Sequence, residues 1–369
     1  MSETISFSID EKHFGPFYPY MKEESVTDVD YNGRDVWITD LKKGRYRANV
    51  VVEERFIVQF TQAIANCINR SFNQANKVLE ADTKELRISM VHASAALSGI
   101  SICIRKSPPI LRHTVGSLIA SGFIEKPVLS FLVNCVKAKM NLVFGGTPGV
   151  GKTECAKFFM QFIPKNERVI TIEDSLELHY GDINPGSDYV EMRVGNGFSY
   201  TDAIKTCLRQ NPQWIMLSEA RSKEAAFLLE QWSTGVNGFS TIHVKDLREL
   251  PERLLNMMHD EKDIRRMENR IYQFVNLGIL IRCMKTPDGT LFRYIDQVYF
   301  FVREDGENKI YPMIEAGKVV SDVIPLKMKK QFEQAGIKDP FVCEEVDAGL
   351  YEKEGGYYGK NPLTKAAKS

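Results

Sequence analysis

The chain lacks any Cys-x-x-Cys pair, and its seven cysteines, at positions 67, 103, 135, 155, 207, 283 and 343, are odd in number and widely scattered. That pattern excludes a disulfide framework and a thiolate zinc site, and it suits a reducing compartment. An excess of either charge is also missing: Lys plus Arg and Asp plus Glu both number 48 in 369 residues. A dedicated nucleic-acid binder carries a basic excess, so nothing global points to DNA or RNA, although a local basic channel is compatible with the balance. No apolar run approaches the roughly 20 residues that span a bilayer. The best candidate, Phe274 to Ile281, is interrupted by Asn276 and reads as a core strand. Met1 to Lys12 is polar and acidic with no apolar centre, so it is not a signal peptide. Any role at a membrane would be exercised from outside the lipid. What is present, 43% hydrophobic and 26% charged residues, is ample for two or three globular domains.

Residues 1–24 are aromatic and carry prolines without periodicity, which predicts an extended arm. Val26, Val29 and Tyr31, then Val36 and Ile38, flank Asn32-Gly33 and read as a β-hairpin. Phe56, Phe60, Ile64 and Ile68 recur at helical spacing, so 52–72 is an expected amphipathic helix. Strands follow over 86–88 and 100–105. These elements make a small N-terminal α+β domain over 1–107, ending at Ser107-Pro108-Pro109. A linker or hinge is expected over 108–125 and a second domain over 126–350, with a flexible tail over 351–369. In the second domain apolar strands alternate with amphipathic helices, at 141–144, 169–173, 201–209, 214–217, 224–232 and 239–243. Such alternation implies an α/β fold with a mostly parallel sheet covered on both faces. From Ile271 onward shorter strands and turns are expected, Pro287-Asp288-Gly289 being one turn.

Gly146-Thr147-Pro148-Gly149-Val150-Gly151-Lys152-Thr153 fits G-x-x-x-x-G-K-[ST] in full, between an apolar strand and a helix-compatible run that begins at Glu154. Glycines let successive backbone N–H groups converge on phosphates at a helix N-terminus. Lys152 would reach the β- and γ-phosphates of ATP, and the Thr153 hydroxyl would ligate Mg²⁺.

Hydrolysis needs more than a phosphate loop. Ile170-Thr171-Ile172-Glu173-Asp174 ends a strand in acids, with Glu177 three residues on, and Trp214-Ile215-Met216-Leu217-Ser218-Glu219 ends another. In open parallel sheets ligands bind at the carboxyl ends of strands, where all four acids fall. Acids in such places also simply cap the next helix. Glu173, Asp174, Glu177 and Glu219 are therefore candidates for the metal and the attacking water.

The order of Gly146–Thr153, Ile172-Glu173-Asp174-x-x-Glu177, Leu208-Arg209-x-x-Pro212, Glu219-x-Arg221, Thr234-Gly235 and Ser240-Thr241-Ile242-His243 resembles the type II/type IV secretion ATPase superfamily. The resemblance covers roughly 26–315, and it is strongest to the tight-adherence-pilus and type IV secretion branch. It implies a RecA-like ATPase domain in which Glu177 orients water, Glu219 is the Walker B glutamate acting on Mg²⁺ through water, and His243 senses the γ-phosphate. Arg87 and Arg105 match arginines that the family's N-terminal domain turns toward the phosphates, and Arg209 and Arg221 match further family arginines. The resemblance also implies a homo-hexamer at the cytoplasmic face of a membrane. It would dock on inner-membrane platform proteins of a secretion, pilus or conjugation system, without binding nucleic acid itself. Ser218 stands where members usually have Gly, Val236 where a His is common, and Gln213 where an acid is common. Two other classes fit parts of the pattern: a RecA-like nucleic-acid translocase, and a regulatory nucleotide-binding protein of low turnover.

Overall fold

The computed structural model describes residues 10–195, 197–220, 224–258 and 263–347. The expected tail over 351–369 lies outside them. The chain divides into two compact units, one formed by 1–109 with 284–292 and the other by 110–283 with 293–369.

The first unit contains α1 (Glu11–Phe14), α2 (Tyr18–Lys22), β1 (Val26–Tyr31), β2 (Val36–Asp40), β3 (Gly44–Arg47), α3 (Glu54–Cys67), β4 (Val78–Asp82), β5 (Leu86–Val91) and β6 (Ser101–Lys106). The strands form one sheet in the order β3-β2-β1-β6-β5-β4. Leu86, Ile88 and Met90 of β5, with Ile102 and Ile104 of β6, alternate inward and are buried. Ile57, Phe60 and Ile64 of α3 join the same core. The expected extended arm is a correction. Residues 11–22 are helical, and Phe14, Phe17 and Met21 are at most 3% exposed in that core. Their spacing is helical, but Pro16 and Pro19 suggest a broken segment; each instead sits at the first or second position of a short helix, where no N–H is needed.

The second unit contains α4 (Val115–Ala120), α5 (Lys126–Lys137), β7 (Leu142–Gly145), α6 (Lys152–Met160), β8 (Val169–Glu173), α7 (Tyr180–Ile183), β9 (Tyr189–Arg193), α8 (Tyr200–Cys207), β10 (Trp214–Leu217), α9 (Glu224–Ser233), β11 (Asn237–Ile242), α10 (Leu250–Asn256), α11 (Ile264–Phe274), β12 (Leu277–Lys285), β13 (Leu291–Glu304), β14 (Glu307–Glu315), β15 (Lys318–Val319), α12 (Leu326–Gln334) and α13 (Glu344–Asp347). The loop from β12 into β13 packs with the first unit, where Leu291 N donates to the Lys42 carbonyl at 2.8 Å. The sheet order is β15-β14-β13-β12-β7-β11-β10-β8-β9. The pairs β12–β7, β7–β11, β11–β10, β10–β8 and β8–β9 are parallel, whereas β13–β14 and β14–β15 are antiparallel. All residues of β7, β8 and β10 are buried, as strands covered on both faces must be.

Two expectations change here. Residues 110–125, read as a hinge, belong to the second unit, with Leu111, Val115, Leu118, Phe123 and Ile124 in its core. Ile271 lies within α11, which runs on to Phe274, and β12, β13 and β14 are long rather than short, β13 reaching 14 residues. The chain then folds back onto α5: the rings of Phe131 and Phe341 stack at 4.9 Å, and Asn134 Nδ2 donates to the carbonyls of Pro340 and Val342.

Candidate nucleotide site

Between β7 and α6 the chain turns on glycines whose φ angles are +148° at Gly146, +77° at Gly149 and +95° at Gly151. A Cβ at Gly146 would lie 2.7 Å from the Ile281 carbonyl oxygen, so that position admits no side chain. Gly151 caps α6 in the left-handed conformation, and Lys152 and Thr153 are its first helical residues. The loop crest, Thr147-Pro148-Gly149, is exposed, and Val150 anchors it in the core.

Lys152 is 8% exposed, yet its ammonium is fully partnered. It lies 3.1 Å from the Gly146 carbonyl, 3.2 Å from the Thr147 carbonyl and 3.1 Å from His243 Nδ1. Three N–H donors thus meet three acceptors, provided His243 Nδ1 is bare. The other imidazole nitrogen, Nε2, lies 2.8 Å from Glu219 Oε1, so the ring bridges the lysine and the glutamate, and its Nδ1 also lies 3.3 Å from the Gly146 carbonyl oxygen. Burial pushes the Lys152 ammonium down to about 8, and Glu219 and Glu177 pull it back up. Those two carboxylates therefore share the lysine's surroundings. The structure brings Lys152, His243 and Glu219 into contact past the carboxyl ends of β7, β11 and β10, and the charge of Glu177, on the loop after β8, acts on the same lysine.

Glu173 has a different place. It is 1% exposed, and its Oε1 accepts the backbone N–H groups of Glu177 at 3.1 Å and Leu178 at 2.9 Å. Its Oε2 is buried without a hydrogen-bond partner among the described residues. Burial pushes this carboxyl up to about 8, against the two N–H groups that favour its charged form. Glu173 thus holds the loop that carries Glu177, and Asp174 follows it, half-buried.

Glu154, in the first turn of α6, directs its carboxylate to Lys157 at 3.3 Å and to Arg112 at 3.8 Å. Burial opposes ionisation of Glu154, but Lys157, Arg112 and His113 outweigh it and hold the carboxyl below its ordinary range. The Lys157 side chain is 1% exposed. Arg293, at the start of β13, donates to the Gly149 carbonyl at 3.4 Å. Sequence reading missed all three: Arg112 and Arg293 come from outside the motif, and Lys157, three residues after Glu154 in α6, belongs to no motif.

Arg87 and Arg105 lie in the first unit, directly opposite one another on β5 and β6. Asp82 and Asp28 flank them in the same row, and Arg105 Nε bonds Asp28 Oδ1 at 2.8 Å. Arg209 is exposed just after α8, and Arg221 lies outside the described residues. Of the departures, Gln213 Oε1 accepts the Arg168 N–H at 2.6 Å, a bond an acid could also make. Val236 packs against the core of the second unit.

No three His, Cys, Asp or Glu side chains among the described residues gather tightly enough to hold a metal ion. The donors instead suit Mg²⁺ brought with phosphates: one hydroxyl at Thr153, on a helix N-terminus, and one carboxylate at Glu219. Glu173 does not fit that set, because its carboxyl is committed to its own loop.

A parallel sheet with a glycine loop running into a helix, a lysine in that loop, and acids and a histidine at neighbouring strand ends make the second unit a RecA-like P-loop ATPase fold. More narrowly, the chain belongs to the family of type II/IV secretion system proteins, whose profile matches residues 40–324. It is 28% identical over 271 residues to the uncharacterized protein pXO2-25 of Bacillus anthracis, covering 72% of this chain and 61% of that one. It is 26% identical over 324 residues to the type IV secretion system protein VirB11 of Brucella suis, covering 78% and 89%. The X-ray structure of the Legionella pneumophila ATPase DotB shares the fold with a TM-score of 0.59 at 14% identity, over 76% of this chain and 78% of that one. The match thus spans less than two thirds of the Bacillus protein. No helix among the described residues is long and apolar enough to cross a membrane.

Proposed function

We propose that the chain hydrolyses ATP with Mg²⁺, and that a ring of six copies uses the hydrolysis to drive a secretion, pilus-assembly or conjugation machine at the cytoplasmic face of a membrane. The observation that carries the reading is the line Lys152–His243–Glu219, hydrogen-bonded end to end across three strand ends, with Glu177 beside it. A γ-phosphate at the loop would compete with two loop carbonyls and His243 for the Lys152 ammonium, so nucleotide and the His243–Glu219 pair become linked through one cation. Glu177, on the loop fixed by Glu173, would orient the attacking water, and Thr153 with Glu219 would hold the metal. Mg²⁺ would neutralise charge developing on the transferred phosphoryl group. Family membership and the similarity to VirB11 support the membrane machine, platform proteins in the membrane being the partners.

The test is steady-state phosphate release with ATP and Mg²⁺, wild type beside Lys152→Ala. Removing the fixed cation from the β- and γ-phosphates should lower turnover by about 100-fold or more. Turnover within a few-fold of wild type would overturn the site. Sedimentation with a non-hydrolysable ATP analogue should give a species of six chains.

A further inference from the structure

Within Ser240-Thr241-Ile242-His243, the histidine meets the Glu219 carboxylate, whereas Thr241 meets the backbone of the same glutamate from both sides. Thr241 is 3% exposed. Its Oγ1 donates to the Ser218 carbonyl at 2.7 Å, and its own carbonyl accepts the Ala220 N–H at 2.9 Å. The last regular ladder pair between β10 and β11 is Leu217 with Ser240. One residue further the chain leaves the sheet toward α9, and Ser218 is 7% exposed there. A carbonyl leaving the ladder in that place needs a donor, since a buried acceptor without one is costly. The Thr241 hydroxyl supplies it. On the other edge Ser218 N donates to the Ile172 carbonyl of β8 at 3.3 Å.

We infer that Thr241 is a positioning residue for hydrolysis: by holding the peptide groups before and after Glu219, it aims that carboxylate at the metal and at His243. The inference rests on the ATPase reading above. Both peptide planes that set the Glu219 Cα–Cβ direction are bonded to one residue, and His243, two positions along from Thr241, holds the far end of the side chain at 2.8 Å. The hydroxyl carries this function where Val or Ile, of similar shape and equal strand propensity, could not.

The experiment compares Thr241→Val, Thr241→Ala and Thr241→Ser in the full chain, reading kcat, the affinity for a fluorescent ATP analogue and the melting temperature. Val and Ala should lower kcat by about tenfold to 100-fold, with affinity within about twofold of wild type. Ser keeps the donor and should return kcat to within about threefold of wild type. In a Glu219→Gln background, Thr241→Val should have little further effect, because the carboxylate it aims is already gone. Equal kcat for Ser and Ala, or a full Val effect surviving in Glu219→Gln, would overturn the inference. If Val fails to fold, the Ser and Ala pair decides alone. A wild type that releases no phosphate, or a Lys152→Ala variant as active as wild type, would instead sink the ATPase reading.

Discussion

β8 and β10 are parallel neighbours, each an apolar strand followed by acid, yet their glutamates have opposite fates. Glu173 is 1% exposed and bonded to the backbone of its own loop. Glu219 keeps 18% of its side chain exposed and reaches His243. Register accounts for the difference. Ile172 pairs with Leu217, the last residue of β10, but β8 runs one residue further, and Glu173 still pairs with Arg193 of β9. Glu173, on the last paired residue of its strand, is buried in the sheet and accepts two backbone N–H groups there. Glu219, two residues past the ladder, is at the rim, where a ligand can reach it.

Substitution by the amide should separate the two. Glu219→Gln should lower kcat by about 100-fold to 1,000-fold with nucleotide affinity much less changed, since on the proposed reading the carboxylate would act on metal and water in the transition state. Glu177→Gln should behave alike. Glu173→Gln keeps an oxygen for the two N–H groups and should leave kcat within about threefold. Phosphate release and analogue binding on the three variants settle the contrast. A Glu173→Gln enzyme as impaired as Glu219→Gln would break it and return Glu173 to the metal.

The contrast was not visible in the sequence, and the reason is physical. Strand, loop and helix around Gly146–Thr153 announce themselves locally, and β8 and β10 have the bounds that their apolar runs predict. Whether an acid after a strand lies inside the ladder depends on how far its neighbour extends, which no local pattern records. The same holds for β9 and for α12 and α13, which were not anticipated. Phe341 and Cys343 read as scattered apolar residues until α5 is there to receive them. The helices over 11–22 failed for a local reason, prolines masking Phe14, Phe17 and Met21. The pairing of Thr241 with Ser218 and Ala220 lay within motifs already noticed, but only the sheet order shows it.

Glu173 also gives the comparison a thermodynamic edge. Its carboxyl is raised in the folded protein from the ordinary 4.5 to about 8, burial being the main cause. Between those values the folded chain holds a proton that the unfolded chain has released. That stability is fully present below about pH 4.5 and is lost as pH rises toward 8. Each unit is worth about 1.4 kcal/mol, so between pH 5.5 and 7.5 the wild type should lose about 3 kcal/mol that Glu173→Gln keeps. Urea unfolding of both proteins across that range measures it. Parallel stability curves would mean that Glu173 is ionised in the fold, and Oε2 would then need a partner.

The smallest effect concerns an ionisable group that is neither trapped nor at a strand end. Arg105 is 56% exposed, with its Nε on Asp28. An exposed pair of this kind contributes up to about 1 kcal/mol. Against that stands the Arg87 side of the row, where two like charges face each other across β5 and β6, an arrangement that costs stability. Arg105→Ala should therefore shift the melting temperature by a degree or two in either direction. The resemblance described from the sequence implies a second effect for the residue. If the Arg87–Arg105 pair contacts the phosphates, Arg105→Ala should weaken binding of the ATP analogue by about tenfold, and Arg87→Ala with Arg105→Ala by more. Adding 0.5 M salt should narrow the gap between wild type and variant, because the lost contact is ionic and exposed. A variant that keeps its affinity at low salt would make the row a solvated sheet face, with Asp28 and Asp82 there to offset the two arginines and nothing more.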